Sequence, residues 1–526
     1  MDYIFANGYL LNPHTGTWEA QSLLMHAGKI VQLGELSSCR RAASHVYEVI
    51  DLNGKLLLPA FMDTHTHFVE LAKSRMLVSL NACSSLDEMQ RQLVHYRDNL
   101  PYPATWILGG AWDRNLLPNP LAFNRHFLDA IFPDKPVALM GKDYHSLLCN
   151  SMALKIIGIT AQSTDPCGGR IERDAQGTPT GMLYETATAL INPYVKMASE
   201  SQIVQAIKDC MEDCYRLGLC GFHSLENIAS HKLLLDSFSE EKPFRMVWHF
   251  QTDELETVAA EQQKTNTDNA FHKTWGMKIF GDGSLGSQTA AMFQSYPADS
   301  GNFGILRYSD AELFKLMQRA AEHGYPCSIH AIGNKSVFQV IQAALKLQKN
   351  KNHAHLIHRI EHVQSIRNVD IPLMKQAMLI AAMQPLHLAY DVPMIEKHWQ
   401  DIQDQVYSFA SLSKAGVPLA FGSDAPIESI NPFLGIFCAI ERRPHLSMNL
   451  PMFRPSEAIS PLKAIQGYTL GAAAASQDEH LRGSLDPGKL ADIVVIDDYR
   501  KEKPDFWLQA SSHLTMINGT IVHSEL

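Results

Sequence analysis

The chain has 526 residues, too many for one small core, so one large barrel with additions or roughly two to four domains are the natural options. Hydrophobic residues make up 46% and charged residues 19%, an ordinary globular balance, and no apolar run approaches the length of a membrane span. Lys+Arg total 45 against 55 Asp+Glu, and the net charge of −10 argues against a nucleic-acid binder.

Residues 1–57 read as β-rich. Tyr3 to Ala6 is followed by Asn7-Gly8 and then Tyr9 to Leu11, and Ser22 to Met25 meets His26-Ala27-Gly28-Lys29 before Ile30 to Leu33. These are short apolar runs separated by hairpin signals. Met1 to Gly16 lacks a basic start and a long apolar stretch, so it does not read as a secretory signal. Nine scattered cysteines form no dense framework, which points to reduced thiols and a cytoplasmic setting.

Leu56-Leu57-Leu58 is an apolar run broken by Pro59, and Ala60-Phe61-Met62 leads into Asp63-Thr64-His65-Thr66-His67. Residues two apart on a strand share a face, so His65 and His67 project together and could share a metal ion. A surface strand with two incidental histidines is the bland alternative. Residues from about 75 to 195 are richer in Pro and Gly and read as an insertion. Beyond them the chain alternates. Helical stretches such as Ile203 to Leu217 and Asp310 to His323 end near Gly218 and Gly324. Strand-like runs follow at Gly221 to Ser224, Cys327 to His330, Leu379 to Met383 and Pro418 to Phe421. Repeated helix-then-strand order argues for a parallel α/β fold. Ala491 to Ile496 and the Asn518-Gly519 hairpin, Leu514 to Val522, return to β texture. The two β-rich ends could pair into one composite sheet.

Several strand-like runs end in a metal-ligating residue type: His65 and His67, then Lys278, His330, His362 and Asp424. In a (β/α)₈ barrel the strand C-termini converge on one face, which makes such distant residues neighbours. Each residue alone has a plainer reading. With 24 histidines in the chain, a lone strand-end His is more often a hydrogen-bonded core or surface residue. Lys278 alone suits a half-buried ion pair, and Asp424 alone could cap the following helix.

These motifs together resemble the amidohydrolase superfamily, and within it the YtcJ-like branch that includes N-substituted formamide deformylases. The resemblance covers nearly the whole chain. It is carried by Val49 to Lys55 running into Pro59 and the His65/His67 pair, and by Met277 to Ser287 with Lys278 and its glycine loop. His330-Ala331-Ile332-Gly333-Asn334, Arg359-Ile360-Glu361-His362, Gly422-Ser423-Asp424-Ala425-Pro426 and Gly483 to Asp492 carry the rest. The resemblance implies an α/β fold: a (β/α)₈ TIM barrel at 58–478, with the insertion at about 75–195, beside a small β-sandwich built from 1–57 and 479–526. It also implies one or two divalent ions per chain, zinc by expectation. His65 and His67 would hold one ion and His330 and His362 a second, with a carboxylated Lys278 bridging them. Asp424 would contact metal and water and act as the base. Imidazole and oxygen donors suit Zn²⁺.

The sequence departs from the branch at Ala60, where glycine is usual, and at Asp143-Tyr144-His145, where Asp-Gly-His is usual. The second departure falls in a stretch that the resemblance assigns to the substrate pocket. Trp112, Asp113 and His145 are the substrate-side candidates, although Trp112 equally fits a core. Gly281-Asp282-Gly283-Ser284-Leu285-Gly286 matches G-x-G-x-x-G, but the residues after it make no convincing amphipathic helix. A close-approach loop at a site rim is the better reading, which sets aside a nicotinamide-dependent oxidoreductase. Cys210, Cys214 and Cys220 read as buried thiols rather than a zinc site.

The expectation is therefore a metal-dependent hydrolase acting on a non-peptide C–N bond of a small amide-like molecule. Neither nucleic acid nor membrane is an expected partner, and a homodimer is allowed for. Ester, carbamate or cyclic-amide hydrolysis, or an isomerisation, are alternatives on the same site. A non-catalytic metal-binding scaffold is the alternative of another class.

Overall fold

The computed structural model describes residues 2–12, 16–43, 46–81, 83–100, 105–114, 117–141, 145–195, 198–239, 241–264, 268–297 and 301–526. The chain forms two compact units, Met1–Glu70 with Lys208–Leu526, and Leu71–Ile207.

The larger unit contains an eight-stranded parallel sheet whose strand order follows the chain. Its strands are β1 (Phe61–Thr66), β2 (Leu219–Ser224), β3 (Arg245–Gln251), β4 (His272–Phe280), β5 (Cys327–Ala331), β6 (Arg359–His362), β7 (Ile380–Met383) and β8 (Leu419–Phe421). A parallel bridge between Thr66 and Ala425 joins β1 to the segment after β8, so the sheet is a nearly closed barrel. Parallel strands need crossovers, and helices such as Asp310–Glu322 and Asn334–Leu347 supply them. The first of these begins in a capping box, where Ser309 accepts from the Glu312 N–H and Glu312 accepts in return. It ends at Gly324, whose φ of +83° favours a residue without a side chain.

Both chain ends build two further sheets. One has the order Lys29–Gly34, Ser22–His26, Asp2–Ala6, Tyr47–Asp51. The other runs Thr520–Ser524, Leu514–Ile517, Ile493–Ile496, Leu56–Pro59, Tyr9–Asn12, Thr17–Glu19. Phe5, Leu23 and Ile50 of the first share one apolar cluster with Leu57, Val495 and Met516 of the second. Leu56–Pro59 pairs antiparallel with Ile493–Ile496, so the chain ends meet directly. Arg245 at the start of β3 then clamps Asp492 with two hydrogen bonds of 2.6 and 2.8 Å.

The hairpins at His26 to Lys29 and at Asn518-Gly519 form as expected. Asn7-Gly8 does not close a hairpin. The strands on either side of it enter different sheets, one beside Tyr47–Asp51 and the other beside Leu56–Pro59. A turn signal specifies a local reversal, whereas partners far along the chain decide which sheet each arm joins.

The smaller unit has a six-stranded sheet, ordered Gly169–Arg173, Pro179–Glu185, Ser146–Cys149, Val137–Gly141, Ile107–Trp112, Val78–Ser79. Apolar clusters around Phe123, Leu139 and Met182 and around Leu147, Leu154 and Leu183 hold it together. Among the described residues, no helix is long and apolar enough to cross a membrane.

Candidate metal centre

The centre grows from the junction of β1 with the end of β8. Asp424 N–H donates to the His65 carbonyl at 2.7 Å, and His67 N–H donates to the Ala425 carbonyl at 2.8 Å. This places the Asp424 side chain beside both histidines. The approach depends on Gly422, because a Cβ there would lie 2.6 Å from both His65 N and Asp63 Oδ1. Asp63 is buried and its Oδ1 accepts from the His65 and Ser423 N–H groups, which locks the junction.

Asp424 Oδ1 lies 3.3 Å from His65 Nε2 and 3.3 Å from His67 Nε2. The three donors form one cluster with all ligand atoms within 4.8 Å of one another. Burial alone would raise the Asp424 carboxyl, but the His65 and His67 imidazoles outweigh it and hold the group well below the usual carboxylate range. His65 is turned by its other nitrogen, which sits 2.6 Å from Glu361 Oε2. Arg359 in turn meets Glu361 Oε1 at 2.6 Å. Burial would raise the Glu361 carboxyl, yet the Arg359 guanidinium and then His65 keep it ionised. A carboxylate on Nδ1 leaves His65 Nε2 facing the centre, where it has no aligned hydrogen-bond partner.

His362 ends β6 and Asp424 follows β8, and both have left-handed backbones, with φ of +76° and +60°. Non-glycine residues are strained there, and such strain concentrates at functional sites. His362 Nδ1 lies 2.7 Å from Gln384 Oε1. The His362 ring is 5.0 Å from that of His65 and 4.5 Å from that of His330, centroid to centroid. His330 Nε2 points to the Gly283 carbonyl at 3.1 Å, and burial pushes its imidazole down to about 3. Lys278 is buried, its Nζ has no hydrogen-bond partner, and burial pushes the ammonium down to about 8.

All six expected ligand residues therefore belong to the larger unit. His65, His67 and Asp424 fall into one metal-competent cluster, and His362 into a second with His387 and Asp424. Among the described residues, His330 enters neither of these clusters. The sequence reading did not single out His387 or Gln384, and it gave Arg359 and Glu361 a place in a motif but no role. Gln384-Pro385-Leu386-His387 directly follows β7, so a histidine just past a strand end was the available signal.

The substrate-side candidates lie in the smaller unit. Trp112 is packed in its core, with the ring 5.2 Å from Phe123 and the indole N–H donating to the Leu139 carbonyl at 2.8 Å. Asp113 is half-buried, and His145 is exposed with Nδ1 3.0 Å from Glu185 Oε2. Asp143 and Tyr144 lie outside the described residues. The glycine motif leads into no helix before Asp310 among the described residues. Its Asp282 instead accepts the Ala291, Ile332 and Gly333 N–H groups at 2.9, 3.0 and 2.9 Å, organising a loop beside His330. Cys210, Cys214 and Cys220 are buried and enter neither metal-competent cluster.

Imidazole and carboxylate donors, with partnerless nitrogens on His65 and His387, fit a divalent transition metal. The fold and this donor set define a barrel hydrolase of the metal-dependent class. The chain belongs to the amidohydrolase family, whose sequence pattern matches residues 48–523. It is 31% identical to YtcJ of Bacillus subtilis over 491 residues, covering 91% of each chain. It is 27% identical to an N-substituted formamide deformylase of Arthrobacter pascens, covering 91% of this chain and 90% of that one. A metal-dependent hydrolase of Pyrococcus furiosus shares the fold, with a TM-score of 0.74 at 23% identity over 96% of this chain and all of the other.

Proposed function

We propose that this protein hydrolyses the C–N bond of a small non-peptide amide, of the formamide type, at a zinc centre held by His65, His67 and Asp424. The His65–His67–Asp424 cluster carries the reading, and the similarity to a formamide deformylase supports the choice of bond. When bound, the ion supplies Lewis acidity, polarising the carbonyl and lowering the pKa of water towards ~7. Asp424 accepts the proton that water loses as its oxygen bonds to the carbonyl carbon. It then delivers that proton to the nitrogen as the C–N bond breaks, so the products are a carboxylic acid and an amine. The Glu361 contact keeps the His65 ring in one tautomer throughout.

Elemental analysis should find one to two zinc ions per chain in the wild type and a clear loss in His65→Ala. Equal metal in the two would remove His65 from the centre. A panel of formamides, amides, carbamates and esters should show its highest kcat/KM on a formamide or amide. A best substrate that is an ester would move the assignment to another reaction on the same site.

Lys278 has a second role in this reading. A buried ammonium without a partner is a poor neighbour for a cation. Its neutral amine can add CO₂, forming an N–C bond and releasing one proton, and the resulting carbamate is an anionic oxygen donor. Protein exposed to ¹³C-bicarbonate during metal loading should show a carbamate ¹³C signal that Lys278→Met lacks. An unchanged spectrum in that variant would reject the modification at Lys278.

A further inference from the structure

We infer that Asp391 and Glu428 form a subsite for an organic cation beside the metal centre, so that the substrate is an amide carrying a second, protonated nitrogen. This deepens the proposed function, because it names the substrate class of the same centre. Both residues lie past the C-terminal ends of barrel strands. Asp391 is on the helix His387–His398 that follows β7, and Glu428 is in the loop between β8 and the helix Pro432–Glu441. A turn closed by the Ile427 N–H on the Asp424 carbonyl, at 2.9 Å, precedes Glu428, which faces both Asp391 and Asp424.

Among the described residues, neither carboxylate has a lysine or arginine partner. Asp391 Oδ2 accepts from the Tyr407 hydroxyl at 2.5 Å. Arg442 faces Tyr407 but is engaged by the Phe453 and Glu457 carbonyls. Burial, then Asp391 and Asp424, pushes the Glu428 carboxyl up to about 8. Carboxylates drawn together without a counter-charge are costly, and an ammonium entering between them removes the repulsion. Glu428 then releases its proton to solvent. A separate observation points to a ligand. His387 is 8% exposed, and its Nε2, 3.9 Å from Asp424 Oδ2, has no hydrogen-bond partner. A buried polar atom in that state is rare, and the same ring faces Asp391, so it is aimed at a polar group lying between the two carboxylates. Neither Asp391 nor Glu428 enters a metal-competent cluster among the described residues, so their oxygens suit the wider shell of an ammonium. Tyr390, exposed on the same helix, also faces Glu428 and adds an aromatic edge.

The probes are N-formylputrescine, a formylated diamine, and N-pentylformamide, its uncharged isostere. With zinc-loaded wild type, kcat/KM should favour the cationic probe roughly 10–100-fold, mostly through KM, as charge-assisted hydrogen bonds imply. Asp391→Asn and Glu428→Gln should each lower that ratio towards one, and Glu428→Lys should turn the preference to the anionic N-formyl-aminovalerate. The ratio is taken within each protein, so a general loss of activity cancels, and zinc content and thermal unfolding show that each variant folds. Calorimetry with putrescine is independent of turnover. Putrescine should bind the wild type more tightly than pentylamine does and lose that advantage in Asp391→Asn and Glu428→Gln. A ratio near one in the wild type, or one unchanged in both of these variants, would overturn the subsite while amide hydrolysis leaves the proposed function standing. A preference for putrescine without hydrolysis of any formamide or amide would support the subsite and sink the proposed function.

Discussion

Asp424→Asn is expected to lower turnover roughly 10²–10⁴-fold while most of the bound metal is retained. Asparagine keeps the shape and one ligating oxygen, but it cannot take a proton at neutral pH. The carboxylate is ionised at neutral pH, as a proton acceptor must be, and both of its oxygens face imidazole nitrogens. Substrate binding should change less than kcat, since the loss falls on the transition state. The measurement is kcat and metal content on the same preparation. Near-wild-type turnover with full metal would remove Asp424 as the base. A joint fall of metal, thermal stability and activity would make it structural instead.

The largest effect on stability is expected at Arg359, one layer below the centre. Its guanidinium is fully buried and meets Glu361 at 2.6 Å, Ser328 Oγ at 2.8 Å, His223 Nδ1 at 2.8 Å and the Thr64 carbonyl at 3.0 Å. Arg359→Met fills similar space but leaves the Glu361 charge facing no guanidinium. Breaking a buried pair in this way costs about 3–5 kcal/mol. Arg359→Lys should recover little, because a lysine cannot reproduce the planar fork of donors. The double variant Arg359→Met/Glu361→Leu should recover part of the stability, since no buried charge is then unpaired. It should not recover metal affinity, because His65 has lost the carboxylate on Nδ1. Denaturant unfolding of the four proteins checks the first claim and zinc affinity the second. An Arg359→Met variant as stable as the wild type would show that the pair contributes nothing.

Much of the barrel was legible because it depends on neighbours in sequence. Short apolar runs, glycines at helix ends and ligand-type residues at strand ends are local patterns, and they located β1, β2, β5, β7 and β8 to within two residues. The β texture of both chain ends was legible for the same reason, and Ile493–Ile496 pairs with Leu56–Pro59 in the second of the chain-end sheets. The Asn7-Gly8 turn was misread because turn chemistry says nothing about which strand lies beside each arm. Trp112 was left between pocket and core, since an aromatic ring in an apolar stretch suits either, and its packing against Phe123 decides where its surface goes.

By itself the sequence placed ligand-type residues at the ends of several strand-like runs, because side-chain chemistry and apolar patterning are properties of short segments. It did not determine which histidines share an ion. That depends on backbone angles at His362 and Asp424 that a residue-by-residue pattern does not encode, and on Gly422 admitting β1 to within van der Waals reach. Nor could it show that Glu361 orients His65, since the two lie 296 residues apart and meet only when the barrel closes. His387 became visible for the same reason: its position just after β7 is unremarked in the sequence, and only the closed barrel carries its Nε2 to Asp424. Local segments choose the donors, while closure of the sheet chooses their partners, because distances across a barrel are set by all eight strands at once.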